Sequence, residues 1–198
     1  MAQCLGGVSP WDRGFYFHPY GDTLGYNDGY FLYGLSYSVW RMLADPFHAD
    51  TLNILTFKAI GFVGAYALVR RGLGWGRGAG LFVAAGFTIA SNISLQAVHA
   101  QLQSVALLPV AMLLAIACVR AEAGDRRRRA RGMAVALAAL MAAWLMTSYY
   151  MAWFTIFSAC LFVLCWAILS DHARPSAMLG LVRDHAGTIA WGWAALRC

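Results

Sequence analysis

Charge is scarce in this chain. Only 12% of its 198 residues are Asp, Glu, Lys or Arg, and Lys58 is the single lysine. Hydrophobic residues make up 61% of the chain and aromatic residues 14%. So small a polar complement cannot coat a water-soluble domain of this size, and a soluble globule is excluded. Cysteine is also sparse in useful patterns. Cys4, Cys118, Cys160, Cys165 and Cys198 include no pair at metal-ligand spacing, and the two nearest, five apart, do not share a helix face. The sequence demands no cofactor; a divalent metal is possible but not required. The opening "MAQCLGGVSP" lacks the basic start and apolar core of a signal peptide. Internal repeats and low-complexity linkers are missing as well.

Long apolar runs are what the chain has instead. Five stretches, 52–69, 79–94, 101–119, 133–149 and 151–169, approach the length needed to cross about 30 Å of hydrocarbon. Backbone groups in lipid must pair within their own segment, so these are expected to be helices. The fold class expected is all-α, a polytopic transmembrane helix bundle. The last two stretches form one apolar run that, as a single helix, would be roughly 55 Å long. "TSYYMAW" is the expected break, with hydroxyl groups and paired tyrosines suited to the interface. The run "AGTIAWGWAAL" reads as the start of a sixth span. The resulting division is an outer segment 1–50, a five-span bundle 51–170, and a cytoplasmic segment with a truncated sixth span, 171–198.

The net charge of +6 comes from arginine. Arg70, Arg71 and Arg77 follow the first span, and Arg120, Arg126, Arg127, Arg128, Arg129 and Arg131 follow the third. Arg174 and Arg183 follow the fifth, while the two opposite turns hold none. Such asymmetry is the positive-inside pattern, which places the basic loops in the cytoplasm. "DRRRR" is a motif that can also bind nucleic acid or anionic lipid, but topology accounts for it, and no nucleic-acid partner is expected. The chain is Ala/Arg-rich, and a bacterial inner membrane is the expected location. Residues 1–50 are then extracytoplasmic and carry Asp12, Asp22, Asp28, Asp45 and Asp50. Within them 29–43 reads as an amphipathic helix lying along the outer membrane surface, with Leu32, Leu35, Val39 and Met42 on one stripe and Tyr30, Tyr33 and Tyr37 on another. Pro46 is expected to end it, and Asp50 or Thr51 to cap the first span.

The candidate functional residues gather on the outer side. In "SLQAVHAQLQ", Gln96, His99 and Gln103 share a helix face at i, i+3 and i+7, beside Gln101. Capping an outer turn explains Gln101 and Gln103; for His99 a polar pocket is the stronger reading, since an unpaired imidazole at the bilayer boundary is costly. Lys58 lies two turns inside the first expected span and can snorkel outward, or meet an anion there. In "FHPYGDTLGYNDGYF", Asp22 and Asp28 stand in turn-rich sequence. Asn27-Asp28-Gly29 is good turn chemistry, and a carboxylate there can also serve as a base toward a hydroxyl.

Several of these stretches carry a resemblance. "FYFHPYGDTLGYNDGYF", "AYALVRRGLG", "HAQLQSVALLP" and "MTSYYMAWF" together resemble the first half of bacterial polytopic membrane glycosyltransferases of the GT-C superfamily, relatives of the protein mannosyltransferases, over residues 14–170. The resemblance implies an extracytoplasmic active site and a polyprenyl-phosphate sugar as donor. It implies that Asp28 or Asp22 is the catalytic carboxylate that activates an acceptor hydroxyl. His18, His99 and Gln101 would line the pocket, with Lys58 facing the lipid phosphate. Members of that family begin with a span followed by an acidic motif and have more crossings and a later soluble domain. Against them this chain reads as a fragment, expected to be inactive alone. The rival reading is a non-enzymatic transporter or scaffold. Transporters place ionisable groups near the bilayer midplane, and here only Lys58 intrudes.

Overall fold

The computed structural model describes residues 28–89, 100–124 and 126–169. Every element in these residues is helical. α1 is Phe31–Trp40, α2 is Pro46–Ala67, α3 is Arg77–Ile89, α4 is Leu108–Ala123, α5 is Arg127–Thr147 and α6 is Tyr149–Leu169. A π-helical turn, Leu68–Gly72, prolongs α2, and a 3₁₀ helix, Ala100–Leu107, leads into α4. Four stretches are long and apolar enough to cross a membrane: Pro46–Gly72, Leu102–Ala123, Arg127–Thr147 and Tyr149–Trp166. Large apolar side chains such as Val63, Phe154 and Phe162 are exposed along these helices, a surface that fits a membrane rather than water. The expected second span corresponds to α3, which has thirteen described residues; 90–94 and the expected sixth span lie outside the described residues.

α2 begins earlier than the sequence reading placed it. Pro46 starts this helix rather than ending the one before it. Asp45 is its N-cap, accepting from the backbone N–H of Phe47 at 3.0 Å and of His48 at 3.3 Å. Proline at the first helical position costs nothing, because its missing donor would be unpaired there anyway. Asp50 and Thr51 are therefore inside the helix. α1 has already stopped at Trp40, five residues before the cap. Tyr33 and Leu32 face the bundle, while the rest of the aliphatic stripe does not. The Tyr33 ring lies 5.5 Å from that of Phe57, and Trp40 Nε1 donates to Thr56 Oγ1 at 2.9 Å. Leu35, Val39 and Met42 are exposed.

α2 and α4 run side by side in the same direction. Gly61 faces Ala106, Gly64 faces Pro109 and Val110, and Gly72 faces Leu113 and Ile116. Small residues on one stripe let the two backbones approach closely, the packing lipid-embedded helices use in place of a hydrophobic drive. α3 returns along α2, with Gly80 against Tyr66 and Phe87 against Gly61. α5 runs opposite to α4: Cys118 lies beside Ala130 at one end and Ser104 beside Trp144 at the other. Trp144 is fully buried among Leu107, Ala111 and Ala152, with Leu32, Ile60 and Leu140 packed around them. Its indole N–H donates to Ser104 Oγ at 2.9 Å, which settles the one polar atom of the largest buried side chain.

The antiparallel arrangement sorts most of the charge by end. Apart from Arg41, at the end of α1, the described arginines meet where α2 and α4 finish and α5 starts. Arg120 donates to the carbonyls of Arg71 at 2.8 Å and Gly72 at 2.6 Å, closing the π-helical turn onto α4. Arg127 to Arg131 lie inside α5, not in a loop before it, because the helix extends six residues beyond the expected apolar start at Met133. Asp28, Asp45 and Asp50 are at the opposite end, with the start of α2 and the junction of α5 and α6.

Candidate functional site

Polar side chains are concentrated where that opposite end is closed. The break at Ser148 creates the place. α5 ends at Thr147, Ser148 is extended at φ −148° and ψ 97°, and α6 starts at Tyr149. A new helix leaves its first N–H groups without intrahelical partners. Asp28 supplies one: its Oδ1 accepts from Tyr149 N at 2.7 Å. A carboxylate at a helix N-terminus also meets the positive end of the helix dipole. Asp28 is 5% exposed while Tyr149 is exposed, so the contact is part-buried.

The residues beside Asp28 fix its approach. Tyr30 N donates to Thr147 O at 3.0 Å, and Leu32 N to Thr147 Oγ1 at 3.0 Å. Tyr30 takes the left-handed conformation at φ 51°, uncommon for a residue with a Cβ. Gly29 lies against the Met146 carbonyl oxygen, where an added Cβ would overlap it. Asp28 and Gly29 thus form a docking segment whose glycine is needed for close approach.

Asn53, Gln103, Ser104, Thr147 and Ser148 are buried at the same end. Asn53 Nδ2 donates to Tyr33 O at 3.2 Å, which holds α1 to α2. Asn53 Oδ1 and Ser148 Oγ are buried with no hydrogen-bond partner among the described residues. Buried polar atoms of this kind mark a place where water or a ligand group is accommodated. At the rim Tyr33 donates to Asp50 Oδ1 at 3.1 Å. Burial, then the Asp50 charge and hydrogen bond, push the Tyr33 phenol up to about 12. The hydrogen bond from His48 and the two backbone donors hold Asp45 below its ordinary range, against a smaller desolvation effect.

The expected site residues fall into three groups. Asp28 is at the polar end, buried. Gln101 lies in the 3₁₀ helix at the same end. His18, Asp22, Gln96 and His99 lie outside the described residues. Lys58 is half-buried on α2 and sits deeper than expected. Because the helix starts at Pro46, it is the thirteenth of 27 residues, one short of the midpoint. Asn53, Ser104 and Ser148 were not singled out by the sequence reading. Asn53 had a signal: it shares the stripe of Phe57, Gly61 and Gly64, the face of α2 that packs inward. Among the described residues no group of three or more His, Cys, Asp or Glu side chains is placed to hold a metal ion. No protein-family model, curated protein or solved structure matches the chain.

Proposed function

We propose that the chain is part of a membrane glycosyltransferase that moves a sugar from a polyprenyl-phosphate donor to a hydroxyl acceptor on the extracytoplasmic side of a bacterial inner membrane. The observation that carries this reading is the buried carboxylate of Asp28, held at the end of the bundle remote from the arginines. In the proposed step Asp28 takes the proton of the acceptor hydroxyl. The acceptor oxygen bonds to the anomeric carbon, the bond from that carbon to the phosphate oxygen breaks, and the polyprenyl phosphate leaves with the electron pair. The polar side chains at this end, with His18, Asp22, Gln96, His99 and Gln101, would complete the pocket. Lys58 would balance the donor phosphate from below.

The test is transfer of labelled sugar from a synthetic polyprenyl-phosphate sugar in membranes containing the whole protein of which this chain is a part. Transfer is expected from the native protein, with a loss of roughly 100-fold or more in Asp28→Asn. The asparagine keeps an acceptor oxygen for Tyr149 N while removing the base. Unchanged turnover in that variant, or none in the native protein, sinks the proposal.

A second reading, a transporter, is favoured by Lys58. It is an ionisable group one position short of the middle of a 27-residue apolar helix, the depth at which transporters place such groups. Uptake of an anion into vesicles, lost in Lys58→Met and kept in Asp28→Asn, would select this reading.

A further inference from the structure

The arginine end has a shape as well as a charge. Between the end of α2, the second half of α4 and the start of α5 lies a groove of about 400 Å³. Arg71, Arg120, Arg126 and Arg129 line it together with Leu113, Ile116 and Met133. Among the described residues no carboxylate lines it; Glu122, on α4, is not part of its wall. α5 begins here at Arg127, and its N-cap Arg126 makes no side-chain cap hydrogen bond, so the positive end of its dipole adds to the guanidinium charge. Four like charges around one groove repel each other, and an anion relieves that repulsion. The walls below are aliphatic and belong to two helices long enough to cross a membrane.

We propose that this groove binds an anionic phospholipid, with the headgroup phosphate among the four guanidinium groups and an acyl chain along Leu113, Ile116 and Met133. Planar guanidinium forks match phosphate oxygens, and arginine is suited to such sites at a membrane surface. The apolar walls favour a lipid over a free phosphate, which would gain nothing from them. Topology alone asks only that arginines be on one side, not that they converge on an apolar-walled groove. This inference does not depend on the glycosyltransferase reading.

The experiment measures thermal unfolding of the purified full chain in detergent with added phosphatidylglycerol, phosphatidylcholine or glycerol phosphate. Phosphatidylglycerol is expected to stabilise the protein, and the other two are not. Arg126→Gln with Arg129→Gln is expected to raise the phosphatidylglycerol concentration needed by roughly thirty-fold. Arg120 is left in place because it holds the π-helical turn. Arg77→Gln with Arg128→Gln removes the same charge outside this groove and is expected to leave the response unchanged. Equal stabilisation by phosphatidylcholine would overturn the proposal. So would an equal effect of glycerol phosphate, or equal loss in the two double variants.

Discussion

Asp28 Oδ1 accepts a hydrogen bond from Tyr149 N at 2.7 Å, across 121 residues of sequence. One carboxylate thereby joins the segment before α1 to the start of α6. The bond joins a carboxylate to a backbone N–H and is part-buried, which strengthens it relative to a surface contact. Asp28→Ala should cost about 1–3 kcal/mol of stability, since Tyr149 N is left without this acceptor. Asp28→Asn should cost less, because an amide oxygen can stand in the same place. Thermal unfolding of both variants in detergent checks the order. An alanine variant as stable as the native protein would mean that the tie contributes nothing.

Gly29 and Gly34 are expected to respond in opposite directions to the same substitution. Gly29→Ala drives a methyl group into the Met146 carbonyl oxygen, a backbone atom that cannot rotate away. A loss of about 1–3 kcal/mol is expected. At Gly34, inside α1, nothing lies within 4 Å of an added Cβ. There alanine should add up to about 1 kcal/mol through helix propensity. Unfolding midpoints of the two variants on either side of the native value are the expected result, and a shift of the same sign in both would contradict this account of the docking segment.

Most of the bundle was legible in the sequence because its causes are local. Apolar run length, arginine clustering and the hydroxyl-tyrosine break near Ser148 are all properties of neighbours along the chain. The start of α2 was misread because proline both ends one helix and begins another. The aspartate before Pro46 was the deciding signal, since Asp-Pro is an N-cap followed by the first helical position. The roles of Asp28 and Ser104 were not legible. Their hydrogen-bond partners, Tyr149 and Trp144, are 121 and 40 residues away, and only packing brings them together. The inward turn of Tyr33 on α1 has the same origin: Phe57 offers its ring a contact and Asp50 offers its hydroxyl an acceptor.

Tyr33 gives the chain a pH response at the alkaline end. Its phenol ionises near 12 in the folded protein and near 10 when unfolded, chiefly from burial and then from Asp50. A raised pKa means that the folded state holds its proton where the unfolded state has lost it. The contribution is complete below about 10 and is lost as pH rises toward about 12. The native protein should therefore lose stability more steeply than Tyr33→Phe across that window. Parallel unfolding profiles for the two would show that the buried phenol is not the cause.

The arrangement of ends makes a prediction about sidedness. α2 with its π-helical turn holds 27 residues, roughly 40 Å at 1.5 Å per residue, more than the hydrocarbon thickness. That is long enough for its two ends to emerge on opposite faces of a membrane, which is the expected outcome. Phe47 is 87% exposed at the polar end, and Arg128 is exposed at the start of α5 near the other end. Cysteines placed at 47 and 128, in a chain whose native cysteines are replaced by serine, should label from opposite sides. With an impermeant maleimide on intact cells, position 47 should react at once and position 128 only after the membrane is opened. The direction follows from arginine, which resists transfer across the membrane during insertion. Position 150, on the exposed Tyr150 at the start of α6, should behave like 47 because the Asp28 segment joins the two regions. Labelling of 47 and 128 from the same side would break the antiparallel order of α4 and α5 as a membrane arrangement, and with it the separation of the carboxylate end from the arginine end.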